Sequence, residues 1–567
     1  MTGALLQPSR NSLRRATVLG LCLLASVPVA YIVTRFIQTN RNIAFWDEYS
    51  LLSLLLRLDT GMSWQEFIAQ IFQIDSEHRM VTSRLIGAAS YWVSGAVNFS
   101  VIAVVGNLFL VGLCAILVTS ARSVERRVRL VVLLAFGLFQ LEHYEMFFWG
   151  GASIDHFQVV LLAGGTMAAL ARGTRSAAIG AGVLALLATF TLAHGCVVWV
   201  LGAAVLGHGR HWRQLAAWSA LAIIALAIFF HGFEIHAAHR VTDFSAAGLG
   251  RLAWFWLALL GGPLTFGAQQ GAPLFGLLLL IVLGWLGVRG AWTREPVMMP
   301  LALFAVVSLG LVAFGRLGVS GSQINSRYLV LGSLAWALTA FMTLERLTDS
   351  ARPYRLLAWC LPGLIAFNLA ANLAAAHAAE TFVFSRDYPA VRFKQYGEEG
   401  HAGPFRLHPD QGAAKAILAQ TEARGIYQLP RLCHEVTVPA PQSNPNMVTY
   451  VTDLTVSDDA VGFEGWAMMP KQKSKRGQIH VMLRSAKSSI ILSTFSVARP
   501  DVAKAFKEPL WRYCGYNFVL RRARLPQEDF QVGLLISDRG RSEIKMTEHW
   551  IKLARHPLES PRLATTE

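Results

Sequence analysis

Residues 16–49 read ATVLGLCLLASVPVAYIVTRFIQTNRNIAFWDEY, and the fold class turns on how this stretch is taken. Ala16–Ile37 is an apolar run of about twenty residues, the length that crosses roughly 30 Å of hydrocarbon. Arg10, Arg14 and Arg15 precede it. A secretory signal has the same polarity, but its apolar core is shorter and ends at a small-residue cleavage site. No such site stands out here, so the run reads as an uncleaved first span. Directly after it come an aromatic pair and two adjacent carboxylates, Phe45-Trp46-Asp47-Glu48-Tyr49, echoed downstream by Asp75-Ser76-Glu77-His78-Arg79.

Composition agrees with a membrane protein. Of 567 residues, 54% are hydrophobic and only 15% charged, with mean hydropathy +0.42; a soluble domain carries about 25% charged residues. The net charge of +16 does not point to nucleic acid, because the basic residues cluster in short loops between apolar runs. Arg122, Arg126, Arg127 and Arg129, then Arg210 and Arg213, then Arg352 and Arg355 are such clusters. Short basic loops orient a chain with those loops inside.

On that basis the chain predicts a polytopic α-helical protein of about eleven spans. The first external loop, 38–97, holds two short amphipathic runs, 49–58 and 63–73, whose apolar residues recur at helical spacing and suit the interface plane. Further spans are expected at 98–120, 129–147, 155–171, 214–232, 271–289, 297–315, 327–344 and 355–376. The run 176–207 reads as a helical pair broken at Ala193-His194-Gly195, and 251–263 as re-entrant or interfacial. The transmembrane domain therefore covers 1–376, a linker 377–446, and a β-rich domain 447–567, where short strands between turn residues suggest a β-sandwich. Placed outside, Cys433 and Cys514 can pair; Cys22, Cys114, Cys196 and Cys360 lie in apolar runs.

Carboxylates beside a membrane are costly to bury, which singles out Asp47 and Glu48 as catalytic candidates. Asp47 also suits a helix N-cap, but that leaves Glu48, Asp75, Glu77, His78, Arg79 and Arg84 unexplained on the same side. One carboxylate can act as general base toward an incoming hydroxyl, while Glu77, His78 and Arg79 orient it or hold a phosphate. His194 sits at a helix break, tolerated at membrane depth mainly where it lines a cavity. Arg316, Arg327 and Tyr328 border an external loop and are candidates for anionic substrate. His143, Glu145, Asp155 and His156 flank the aromatic turn Phe147-Phe148-Trp149 and suit an aromatic belt or a sugar equally. His231, His236 and His239 complete no metal motif.

The strings Phe45-Trp46-Asp47-Glu48, Ser76-Glu77-His78-Arg79, His194-Gly195-Cys196-Val197-Val198-Trp199 and Ser326-Arg327-Tyr328, set in this architecture, resemble a bacterial branch of the GT-C superfamily of membrane glycosyltransferases. The resemblance spans roughly residues 16–376. It implies transfer of a sugar from a polyprenyl-phosphate donor to a glycan, lipid or protein acceptor, on the outer face of the bacterial inner membrane. It also implies Asp47 as base, a cytoplasmic N-terminus, a C-terminal domain outside, and in some relatives a divalent cation. Gly465-Trp466-Ala467 and Arg499-Pro500-Asp501-Val502 are similar to accessory domains of such enzymes, which implies glycan contact. A transporter or flippase of lipid-linked sugars, or a non-catalytic scaffold for polysaccharide assembly, are the alternatives; no inverted repeat of transporter type is visible.

Overall fold

A computed structural model describes residues 10–553 other than 76, 234–242, 321–322, 349–353, 397–406, 431–434, 457–459, 470–477, 498, 509–510, 512, 523–524 and 539. Cys433, His236 and His239 therefore lie outside the described residues, and the expected Cys433–Cys514 pairing with them. Two compact units emerge, Met1–Asn40 with Ser50–Glu380, and Arg41–Tyr49 with Thr381–Glu567.

The first unit is helical. It comprises α1 (Arg10–Thr39), most of α2 (Glu48–Asp59), α3 (Trp64–Ile71), α4 (Val81–Ser94), α5 (Phe99–Ser120), α6 (Val124–Leu138), α7 (Tyr144–Phe148), α8 (Gly150–Leu170), α9 (Arg175–Thr189), α10 (Val197–His208) and α11 (Trp212–Phe230). Then follow α12 (Ala246–Gly261), α13 (Ala272–Val288), α14 (Ala291–Arg294), α15 (Met298–Ser320), α16 (Ser326–Leu347) and the first part of α17 (Arg355–Tyr396). Among the described residues, seven helices are long and apolar enough to cross a membrane, or eight if α6 and the bent segment Leu141–Phe148 form one span. Arg175–Thr189, Ala193–His208 and Ala272–Val288 are apolar but shorter. Most of α8, α15 and α16 is buried, whereas α1, α5 and α11 are largely exposed apolar surface, the distribution expected of central and lipid-facing helices.

Local chemistry fixes the ends and bends. Ser63 and Glu66 form a reciprocal capping box on α3, and Asn98, Ser123, Thr174 and Ser245 cap α5, α6, α9 and α12; each side chain meets main-chain N–H groups a helix start leaves unpaired. The 58° bend after α6 frees main-chain groups that two buried asparagines of α17 collect. Asn368 donates to the carbonyls of Phe136 and Phe139, and Asn372 accepts the Leu141 N–H at 2.8 Å. Small residues let backbones touch. A Cβ on Gly106 would meet Ser153 Oγ at 2.3 Å, and one on Gly261 the Ala272 carbonyl oxygen at 1.9 Å, so α5–α8 and α12–α13 pack at glycine.

The second unit adds the end of α17, α18 (Gln411–Ala423), α19 (Pro500–Ala505) and nine strands. These are β1 (Gln442–Ser443), β2 (Val448–Val456), β3 (Ala460–Met468), β4 (Gln478–Arg484), β5 (Ser489–Ser493), β6 (Phe495–Val497), β7 (Gly515–Arg521), β8 (Asp529–Asp538) and β9 (Arg541–Lys552). They form a five-stranded sheet in the order β1-β9-β8-β4-β5 and a four-stranded sheet in the order β2-β3-β7-β6. Among the described residues, only the β1–β9 pairing is parallel. Inward residues of both sheets, including Phe463, Phe518, Val481 and Leu534, join one buried cluster, as period-two alternation requires of two sheets that share a core. Residues 41–49 pack within this unit: Trp46 N–H donates to the Leu407 carbonyl at 2.7 Å, and the Phe45 ring meets Phe382 edge-on.

Candidate functional site

In the second unit, the Phe45–Tyr49 stretch is a tight turn. Trp46 adopts φ of +49°, a left-handed conformation that costs a bulky L-residue about 1–3 kcal/mol. Glu48 holds it: its buried carboxylate accepts the Phe45 main-chain N–H at 2.7 Å. Glu48 is thus engaged in turn closure, while Asp47 at the turn's tip is exposed.

The first unit gathers a second set of polar groups. The loop before α4 is closed by Asp75 and His78, which exchange main-chain hydrogen bonds at 2.8 and 2.9 Å, and ends at Met80 with φ of +39°. His78 Nδ1 accepts the Ala193 N–H at 3.2 Å, which ties this loop to the one-turn break Ala193–Cys196 between α9 and α10. That bond requires His78 to be neutral, with its proton on Nε2. Burial, and then the nearby His194, Arg316 and Arg327, hold its pKa down to about 3.

His194 is buried, and its ring lies 6.0 Å from that of His156 on the first turns of α8. His156 in turn meets the Tyr328 ring at 6.2 Å. His194 Nε2 and His156 Nδ1 are buried and have no hydrogen-bond partner among the described residues. Arg316, near the end of α15, pairs with Glu77 at 3.2 Å. Arg327, in the first turn of α16, sits over the rings of Tyr328 and Trp149 at 5.3 and 5.9 Å. Its main-chain N–H donates to Glu145 at 3.0 Å, and Ser326 Oγ accepts the Glu145 N–H at 3.2 Å.

The two arginines, three histidines and Tyr328 therefore assemble where α8 and α16 begin, α15 ends and α9–α10 breaks. Two arginines stand beside the imidazoles with Glu77 and Glu145 as counter-charges, and a guanidinium fork in such a place suits a phosphate or other compact anion. Glu77, His78, His194, Arg316, Arg327 and Tyr328 fall in this cluster. Arg79 points elsewhere: its guanidinium donates to the carbonyls of Phe229 at 2.9 Å, Phe72 at 2.5 Å, and His231. Arg84 is spent similarly, on the carbonyls of Gln70, Ile71, Gln73 and Arg79 and on Asp75. His156, Glu145 and Trp149 join the cluster although the sequence favoured no role for them; their signal was the polar set flanking the aromatic turn. No group of three or more metal-binding side chains occurs among the described residues. Comparison of the chain with family models, with curated proteins and with solved structures finds no match.

Proposed function

We propose that this protein is a membrane glycosyltransferase of GT-C type that moves a sugar from a polyprenyl-phosphate donor to an envelope glycan, lipid or protein acceptor. The observation that carries this reading is the convergence of Arg316 and Arg327 with His78, His156 and His194 at broken helix ends. This reading gives the cluster the donor's phosphate, where fixed positive charge would stabilise the negative charge that builds as the glycosidic bond breaks. Asp47 takes the role of base, deprotonating the acceptor hydroxyl as it attacks the sugar's anomeric carbon with inversion. Strain at Trp46 and Met80 supports attention to both stretches, since such backbone outliers gather at functional sites. Eleven spans, with α9, α10 and α13 counted as short crossings, a β-sandwich built of the two sheets, and a C-terminal unit outside the inner membrane belong to the same proposal.

The test is sugar transfer from a radiolabelled polyprenyl-phosphate donor by membranes bearing the full chain. Asp47→Asn is expected to lower transfer by about 10²–10⁴-fold, the contribution of a general base, with unchanged protein abundance. Glu48→Gln, whose amide oxygen can still accept the Phe45 N–H, is expected to retain most activity. No transfer by the wild type with any such donor overturns the enzyme reading; glycan export that survives Asp47→Asn favours the carrier.

A further inference from the structure

At the end of α8 and α15 opposite the histidine–arginine cluster lies a pocket of about 800 Å³ between α5, α8, α9 and the start of α15. This is within the roughly 300–1,000 Å³ of small-ligand sites. Four arginines line it, Arg122, Arg126, Arg172 and Arg294, against one acidic residue, Glu295. Arg126 is already committed, to Glu295 and to Glu345. Arg122, Arg172 and Arg294 are exposed, and none makes an ion pair among the described residues. Short basic loops alone account for arginines at this level, but they do not require three of them to converge on one cavity.

The rest of the lining mixes Thr119, Ser120, Thr174 and Ser176 with an apolar strip that runs along α5, α8 and α9. Ile116, Gly165, Ala168, Gly180 and Leu184 supply that strip. A Cβ on Gly165 would touch Leu184 and Ile116 at 3.2 and 3.7 Å, whereas one on Gly180 would meet nothing within 4 Å. The pocket thus joins an arginine-lined mouth to an open groove on the flank of α8 and α9. A free phosphate would use the mouth and leave the groove empty; a zwitterionic lipid would use the groove but bring a cation to the arginines.

We infer that this pocket is a binding site for an anionic glycerophospholipid. The phosphate sits among Arg122, Arg172 and Arg294, whose planar forks match phosphate oxygens, and an acyl chain lies along the Gly165–Gly180 groove. The site is separate from the proposed transferase centre, so either can fail alone.

Native mass spectrometry of the detergent-purified full chain tests this with phosphatidylglycerol, phosphatidylcholine or inorganic phosphate added. Wild type is expected to retain phosphatidylglycerol in preference to phosphatidylcholine. Replacing Arg122, Arg172 and Arg294 by Gln should weaken retention about fivefold per arginine. Gly180→Leu, whose Cβ meets nothing within 4 Å and whose side chain extends into the groove, should reduce phosphatidylglycerol retention without lowering the melting temperature in phosphatidylcholine. Equal retention of the two lipids, indifference of retention to either variant, or stabilisation by inorganic phosphate matching that by phosphatidylglycerol would overturn the inference.

Discussion

Arg79 and His78 are neighbours in sequence with opposite duties. Arg79 is buried and its donors are spent on three main-chain carbonyls from two segments. Arg79→Gln, with two amide donors for three carbonyls, leaves at least one of those oxygens unpaired, at about 1–3 kcal/mol, and thermal unfolding in detergent should show a clear loss of stability. His78 is bound in its neutral form by the Ala193 N–H. Its pKa is lowered in the fold to about 3, against about 6.5 unfolded, so between these values the unfolded chain binds the extra proton. Its contribution is therefore complete above about pH 6.5 and is lost as pH falls toward 3. The melting temperature should drop from pH 7 to pH 5, and drop less in His78→Gln, whose amide oxygen accepts from Ala193 without titrating. An identical slope in both proteins would remove His78 from this account. Sequence pattern identified both residues as polar and near a membrane surface. It could not say which accepts from a main-chain N–H and which donates to carbonyls, because that depends on Ala193 and Phe229, more than a hundred residues away.

At the scale of elements, the helix break at Ala193–Cys196 is the most exacting join. A Cβ on Gly195 would lie 1.9 Å from the Ala188 carbonyl oxygen and 2.4 Å from its carbon, and a carbonyl in the last turn of α9 cannot swing away as a side chain can. Gly195→Ala should displace His194 and cost at the upper end of the ~1–3 kcal/mol of overpacking, or more. Gly180→Ala, into open space in the same α9, should be neutral or stabilise by about 0.5–1 kcal/mol. Parallel melting curves of the two variants check the contrast; equal stability would mean that the α9–α10 join is soft. This break was legible, because His-Gly interrupts an otherwise uniform apolar run. The strand-rich character of 447–567 was legible too, from turn residues and alternation. β9 was not: Arg541–Lys552 carries five charged residues in twelve, and its inward residues show only once Ile544 and Ile551 are seen packed inside. Similarly α17 continues to Tyr396, past the apolar limit near 376, because helical hydrogen bonding does not end where hydropathy does.

At the scale of the molecule, the sequence divides the chain linearly near residue 376, whereas the compact units divide it at Glu380 and move Arg41–Tyr49 into the C-terminal one. Linear composition could not foresee this, since the segment is held by long-range bonds. Tyr427 is the main tie. Its buried hydroxyl accepts the Ala44 N–H at 2.8 Å and donates to the Asn42 carbonyl at 3.0 Å. Tyr427→Phe keeps the ring but strands both main-chain groups, and Ala44 is wholly buried. Leaving buried polar groups unpaired costs about 1–3 kcal/mol. That cost falls on local opening of residues 41–49 rather than on the spanning helices. Trypsin provides the readout, because Arg41 lies at the segment's start. If opening precedes cleavage, a loss of about 2 kcal/mol should speed cutting after Arg41 by roughly thirtyfold, while cleavage elsewhere is unchanged. The same variant should reduce sugar transfer on the proposed reading, because Asp47 rides on this segment. Equal cutting rates in Tyr427→Phe and wild type would show that the segment is secured by Phe45, Trp46 and their neighbours without the hydroxyl.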